Sequence, residues 1–75
     1  MLNADIIIQL KDAEKSGCDP KQWYRVIGTA VMTYEKDKQK KQGDVFVIVN
    51  EKKIAVFVFP SRCIVRILRD GVPLD

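Results

Sequence analysis

The chain contains no histidine. That removes the commonest general base and the commonest metal ligand, and with them any Ser-His-Asp or Cys-His arrangement within one chain. Cysteine is scarce. Cys18 and Cys63 stand far apart, which is not the spacing of a zinc site. Gly17, Gly28, Gly43 and Gly71 are isolated, so there is no glycine-rich loop to cradle a phosphate. Acidic pairs are few, and Asp12/Glu14 and Glu35/Asp37 lie at i, i+2, a spacing that does not bring side chains together on a helix. No apolar run approaches the roughly 20 residues of a membrane-spanning helix. The Ile6-Ile7-Ile8 run is hemmed by Asp5 and Gln9, and Met-Leu-Asn-Ala-Asp lacks the basic start of a secretory leader. These absences predict a non-enzymatic cytoplasmic chain with no cofactor, no metal, no small-molecule substrate and no membrane. Its thiols are expected to be reduced, with a Cys18–Cys63 disulfide as the alternative.

What is present is apolar and mildly basic. Two segments, Val45-Phe46-Val47-Ile48-Val49 and Ile54-Ala55-Val56-Phe57-Val58-Phe59, flank Asn50-Glu51-Lys52-Lys53. They read as a hairpin over about 44 to 59, closed by Pro60. Both are apolar at consecutive positions, whereas a half-solvated strand alternates. Both faces of the sheet must therefore be covered. At 75 residues the chain is one domain, residues 1–75, and a domain of this size buries only roughly 60% of its unfolded surface. The expected solution is a two-fold homodimer, sheet stacked on sheet or edge joined to edge.

Residues about 3 to 16 read as a helix capped by Asn3. Ile6, Ile7, Leu10 and Ala13 fall on one face, Gly17 ends it, and Ile8 does not fit the stripe. Asp19-Pro20-Lys21-Gln22 has the form of a capping box. Trp23, Val26, Ile27, Ala30, Val31 and Tyr34 then make a helical face, and the predicted helix runs from 20 to about 40, ending at Gly43. The competing reading is a strand, because Tyr24, Val26, Ala30, Met32 and Tyr34 alternate. Residues 62 to 69 read as a third strand, with a helix capped by Ser61 as the alternative, and Asp70-Gly71 as a turn. The predicted fold is α+β: two N-terminal helices packed on a three-stranded antiparallel sheet, in order α-α-β-β-β. The alternative is α-β-β-β with a C-terminal strand or short helix.

Three groups of residues are candidates for binding. Lys36, Lys38, Lys40 and Lys41, with Lys52 and Lys53 in the hairpin turn, form a sequence-blind phosphate patch, or else solvate a helix end and guard a sheet edge. Arg62, Arg66 and Arg69 suit bidentate recognition of phosphate or carboxylate, and on a strand Arg62 and Arg66 share a face. Among Trp23, Tyr24, Tyr34, Phe46, Phe57 and Phe59, most fit the core, while Tyr24 lies beside Arg25 and off the main stripe. The net charge of +3 and pI near 9.0 admit nucleic acid or an acidic protein as partner. The leading expectation is a nucleic-acid-binding regulator. The second is an inhibitor or adaptor that binds an acidic protein. In element order alone, α-α-β-β-β resembles small ribonuclease toxins of toxin–antitoxin systems. That resemblance implies a metal-independent ribonuclease in which Arg and Lys stabilise phosphate charge and Tyr assists proton transfer.

Overall fold

The structure, a computed structural model, describes residues 5–74. It is one antiparallel sheet of six strands: β1 (Ile6–Leu10), β2 (Trp23–Lys36), β3 (Gln39–Val49), β4 (Ala55–Val58), β5 (Ile64–Arg69) and β6 (Val72–Pro73). A 3-10 turn at Glu14–Ser16 and a four-residue helix, α1 (Pro60–Cys63), are the helical pieces among the described residues. None of them is long and apolar enough to cross a membrane. The predicted pair of N-terminal helices is therefore wrong, and the α+β order and its likeness to ribonuclease toxins fall with it. Asn3, the expected cap, lies outside the described residues.

The strand order is β4-β3-β2-β1-β5-β6. Four strands meander, and β5 returns to the free side of β1. Residues 59–63 make that return from one end of the row to the far side, and α1 coils most of them. At about 4.8 Å per strand step, a flat sheet would hold β4 and β5 roughly 19 Å apart. A coiled link rises only about 1.5 Å per residue, so the sheet must curl to bring its ends together. β2 makes the bend. Trp23 to Arg25 pair with β1, and Val26 to Lys36 pair with β3. A bulge at Ile27 separates the Val26–Ile48 pair from the Gly28–Val47 pair. Such a bulge adds one unpaired residue, bends the strand and sharpens its twist.

The concave face carries the core. Ile8 faces Tyr24 on one side and Ile67 on the other. Ile8, Leu10, Val26, Ile48 and Val58 are buried with Ala13, Cys18 and Tyr24, and Phe46, Val56, Cys63 and Ile64 pack against them. Ile8, the misfit of the helical stripe, is 0% exposed. Ile6, Ile8 and Leu10 alternate as a strand requires. β2 alternates as well, with Tyr24 and Val26 buried and Trp23, Arg25, Ile27, Thr29, Val31 and Thr33 exposed. The cap at Asp19 is a turn instead: its Oδ1 accepts from Lys21 N, and Gln22 N donates to its carbonyl. The two cysteines are free thiols, Cys18 buried and Cys63 half-buried.

The hairpin, its closing proline and the Asp70-Gly71 turn are all present as the sequence predicts. β3 is longer than expected, however. It starts at Gln39, so Gly43 lies inside a strand rather than after a helix. The two-faced apolar pattern has a structural counterpart. Directly opposed residues share a face. Phe46–Val58 and Ile48–Val56 point inward, while Val47–Phe57 and Val49–Ala55 point outward. On that outer face Val45, opposite Ala30, is only 1% exposed. One step beyond the Phe46–Val58 pair, Phe59 falls beside Val45. The chain thus covers part of its second face with its own aromatic residues. Farther along, Phe57, Val49 and Ile27 remain exposed.

Candidate nucleic-acid interface

Beyond the bulge, β2 and β3 continue as a two-stranded arm. Opposed pairs run from Ala30–Val45 to Lys36–Gln39. Asp37 and Lys38 form the two-residue loop, with φ of 53° and 63°. Two consecutive positive φ angles are the signature of a type I′ turn, whose twist matches that of the strands it joins. The turn replaces the helix expected across Lys36–Lys41 and gathers the lysines at one tip. Tyr34 opposes Lys41 and Lys36 opposes Gln39, so these four side chains share a face. Lys40 lies on the other face opposite Glu35, and Lys38 stands at the apex.

The face with Tyr34 is backed by α1. Phe59, just before that helix, meets the Tyr34 ring edge-on, with centroids 5.1 Å apart and planes at 66°. Gly43 makes this approach possible. A Cβ there would lie 3.0 Å from Tyr34 Cε1 and 3.5 Å from Phe59 Cε1. Arg62 stacks on the Phe59 ring, its guanidinium carbon 5.9 Å from the centroid, within the range of a cation–π contact. Tyr34, Glu35, Lys36 and Arg62 line a shallow pocket of about 190 Å³. The result is a half-buried aromatic pair bordered by Lys36, Lys41 and Arg62.

The remaining predicted site residues are elsewhere. Lys52 and Lys53 occupy the β3–β4 turn, at the other end of an 11-residue strand; at about 3.4 Å per residue that is roughly 35 Å from the tip. Arg62 and Arg66 do not share a strand face, because Arg62 is in α1 and Arg66 is in β5 opposite Gln9. Arg66 lines a separate pocket with Trp23, Leu68 and Pro73, and Arg69 ends β5 beside the Asp70-Gly71 turn. Tyr24 is not an exposed stacking residue. It is 6% exposed, and its hydroxyl accepts a hydrogen bond from Asp19 N at 2.6 Å. Burial pushes its pKa up, the Asp19 bond pulls it partly back, and the charge of Glu51 raises it further.

Tyr34 and Phe59 join this surface, although the sequence pattern places both in the core. The alternating pattern of β2 carried the signal, since a strand sets Tyr34 and Lys36 on one face. Among the described residues no group of three acidic, cysteine or histidine side chains is placed to hold a metal ion. Compared with known proteins, the chain matches no family model, no curated protein and no solved structure.

Proposed function

We propose that the chain is a small, non-enzymatic, cytoplasmic binding module that recognises nucleic acid electrostatically, as a regulator, through the β2–β3 arm and Arg62. One observation carries this reading: where the charge sits. Residues 35–42 hold four lysines against Glu35 and Asp37, and Arg62 adds a fifth cation beside them. That surplus equals the net charge of the whole chain, so the rest of the molecule is neutral. Arg25, for example, is paired with Asp5. A concentrated cationic surface beside an aromatic ring combines phosphate attraction with a platform for a base. Alternate residues on a strand lie about 7 Å apart, close to the phosphate spacing of a single strand.

The test is binding of single- and double-stranded RNA and DNA at low salt, for the native protein and for a variant with Lys36, Lys38, Lys40 and Lys41 all replaced by Gln. Binding should weaken alike for every sequence, and its salt dependence should flatten. If the native protein binds neither RNA nor DNA at low salt, the reading fails and an acidic protein takes the place of the nucleic acid.

A further inference from the structure

We propose that two copies of this chain pair through the free edge of β4, antiparallel about a two-fold axis at Val56. The sheet has two ends, β4 and β6. β6 is only two residues long, its Pro73 has no N–H to offer, and Leu74 N is already bonded to Ile67 O. β4 carries no such guard. Ile54-Ala55-Val56-Phe57-Val58 contains no charge and no proline, and its pairing with β3 has no bulge. Lys52 and Lys53 lie in the turn before it, not on it. An open groove of about 460 Å³ runs along β4, walled by the Lys15–Gly17 turn.

The hydrogen-bond alternation fixes the register. Asn50 N donates to Ile54 O. Bonded and unbonded pairs alternate along an antiparallel ladder. Ile54, Val56 and Val58 therefore turn their backbone groups toward β3, and Ala55 and Phe57 turn theirs to the free edge. An antiparallel copy satisfies both when Ala55 of each chain faces Phe57 of the other. That gives two bonded pairs, four hydrogen bonds, with Val56 facing Val56 across the axis. A slip of one residue would set the inner face of one copy beside the outer face of the other. Centring on Phe57 instead leaves one bonded pair within the strands and brings Pro60 opposite Ile54.

The self-pairing also joins the outer faces, laying Phe57 beside the small Ala55 of the second copy. On that face Ile27, Val49 and Phe57 are each a third to more than half exposed. A second copy would cover these apolar side chains, which a lone sheet leaves to solvent. Since β6 closes the opposite end, the pairing is isologous and stops at two copies.

Sedimentation equilibrium of nuclease-treated protein, up to submillimolar concentration, should reach about twice the 8.6 kDa chain mass. Ala55→Pro deletes an N–H that faces the free edge and takes no part in β3 pairing, and should leave a folded monomer. Ala55→Ser keeps the N–H and should stay dimeric. If Ala55→Pro does not fold, Phe57→Glu decides: its exposed position tolerates a charge in the monomer, and the dimer should be lost. A native protein that stays monomeric at every concentration overturns the proposal, and so does a dimer that persists in a folded Ala55→Pro or Phe57→Glu. A native monomer that instead takes up an extended peptide along β4 also overturns it. Nucleic acid is absent from these measurements, so their outcome is independent of the binding function proposed above.

Discussion

Asn50 is the residue on which two loops depend. It is 5% exposed, and its side chain makes three hydrogen bonds. Its Oδ1 accepts from Lys52 N and Ile54 N, both at 2.9 Å, which shapes the β3–β4 turn. Its Nδ2 donates to Ser16 O at 2.6 Å and ties that turn to the 3-10 turn. Asn50→Ala should cost about 2–3 kcal/mol, because it leaves the two amides and the carbonyl to find new partners. Gly17 guards the same joint: its φ is +77°, and a Cβ would lie 2.6 Å from Asn50 Nδ2. Gly17→Ala should therefore cost more than the roughly 1–2 kcal/mol of a left-handed residue alone. Both variants should lower the urea midpoint with little change in slope. The thiol of Cys18 and the phenol of Tyr24 add a pH dependence. Burial, and then the charge of Glu51, pushes the Cys18 pKa up, and burial is also the main cause for Tyr24. The folded chain keeps these protons at a pH where the unfolded chain releases them. The stabilisation is complete below the ordinary thiol value of about 8.5 and is lost as pH rises above it. The melting temperature should fall between neutral pH and the high nines, and Cys18→Ala should remove the earlier part of the fall. A melting temperature that climbs over that range would contradict the assignment.

At the scale of elements, the β2–β3 turn offers a way to separate stability from binding. Lys38 holds a φ of 63°, which costs a non-glycine residue about 1–2 kcal/mol. Lys38→Gly should raise stability by about 1 kcal/mol while weakening nucleic-acid binding by the share of a single cation. A thermal melt and a titration of the same variant check both halves. If Lys38→Gly lowers stability, the positive-φ turn is not where the structure puts it. This turn also shows how far the elements could be read from the sequence. Asp70-Gly71 announces itself, because glycine signals a positive φ. Asp37-Lys38 does not, since neither residue marks a turn as strongly and both are tolerable in a helix. The lysine-rich stretch therefore reads, in sequence, as the end of a helix. The same conflict runs through β2. Trp23, Val26, Ile27, Ala30, Val31 and Tyr34 fit a 3.6-residue period, while Tyr24, Val26, Ala30, Met32 and Tyr34 fit a period of two. Tertiary pairing decided between them: β1 pairs with the first three residues of β2 and β3 with the rest, and local propensity is weak against a strand partnered along its length. Ile8 was the clue in β1, an isoleucine that the helical stripe could not place and the strand buries completely. The β3–β4 hairpin was legible because its strands are dense in β-branched and aromatic residues and end at a proline. The site was legible only in part. Composition marked its lysines and Arg62, but Tyr34 and Phe59 join them only once β2 is a strand and α1 lies against the arm.

At the scale of the whole molecule, the charged arm tip with Arg62 and the neutral remainder divide the work of folding and binding. The core residues Ile8, Leu10, Val26, Ile48 and Val58 lie on the concave face, and neither the four arm lysines nor Arg62 is buried. Removing the lysines should therefore leave the melting temperature nearly unchanged, since exposed charges contribute little to stability. The same division limits the electrostatics of binding. If Lys36, Lys38, Lys40, Lys41 and Arg62 each neutralise one phosphate, the slope of log K against log salt should be about −3.5 for a single strand and about −4.5 for a duplex. Replacing the four lysines with Gln leaves Arg62, and the single-strand slope should then drop to about −0.7. Tyr34→Ala tests the other half of the surface. Loss of a stacking platform should weaken single-strand binding by about 1–3 kcal/mol while leaving the slope unchanged, because the ring carries no charge. A native slope well beyond −5 would mean that Lys52, Lys53, Arg66 or Arg69 also contact phosphate. The interface would then have to wrap the body, and binding could not be confined to the arm. A slope of −3 to −4 that collapses in the Gln variant, with folding intact, would place the contacts on the arm and its neighbouring arginine.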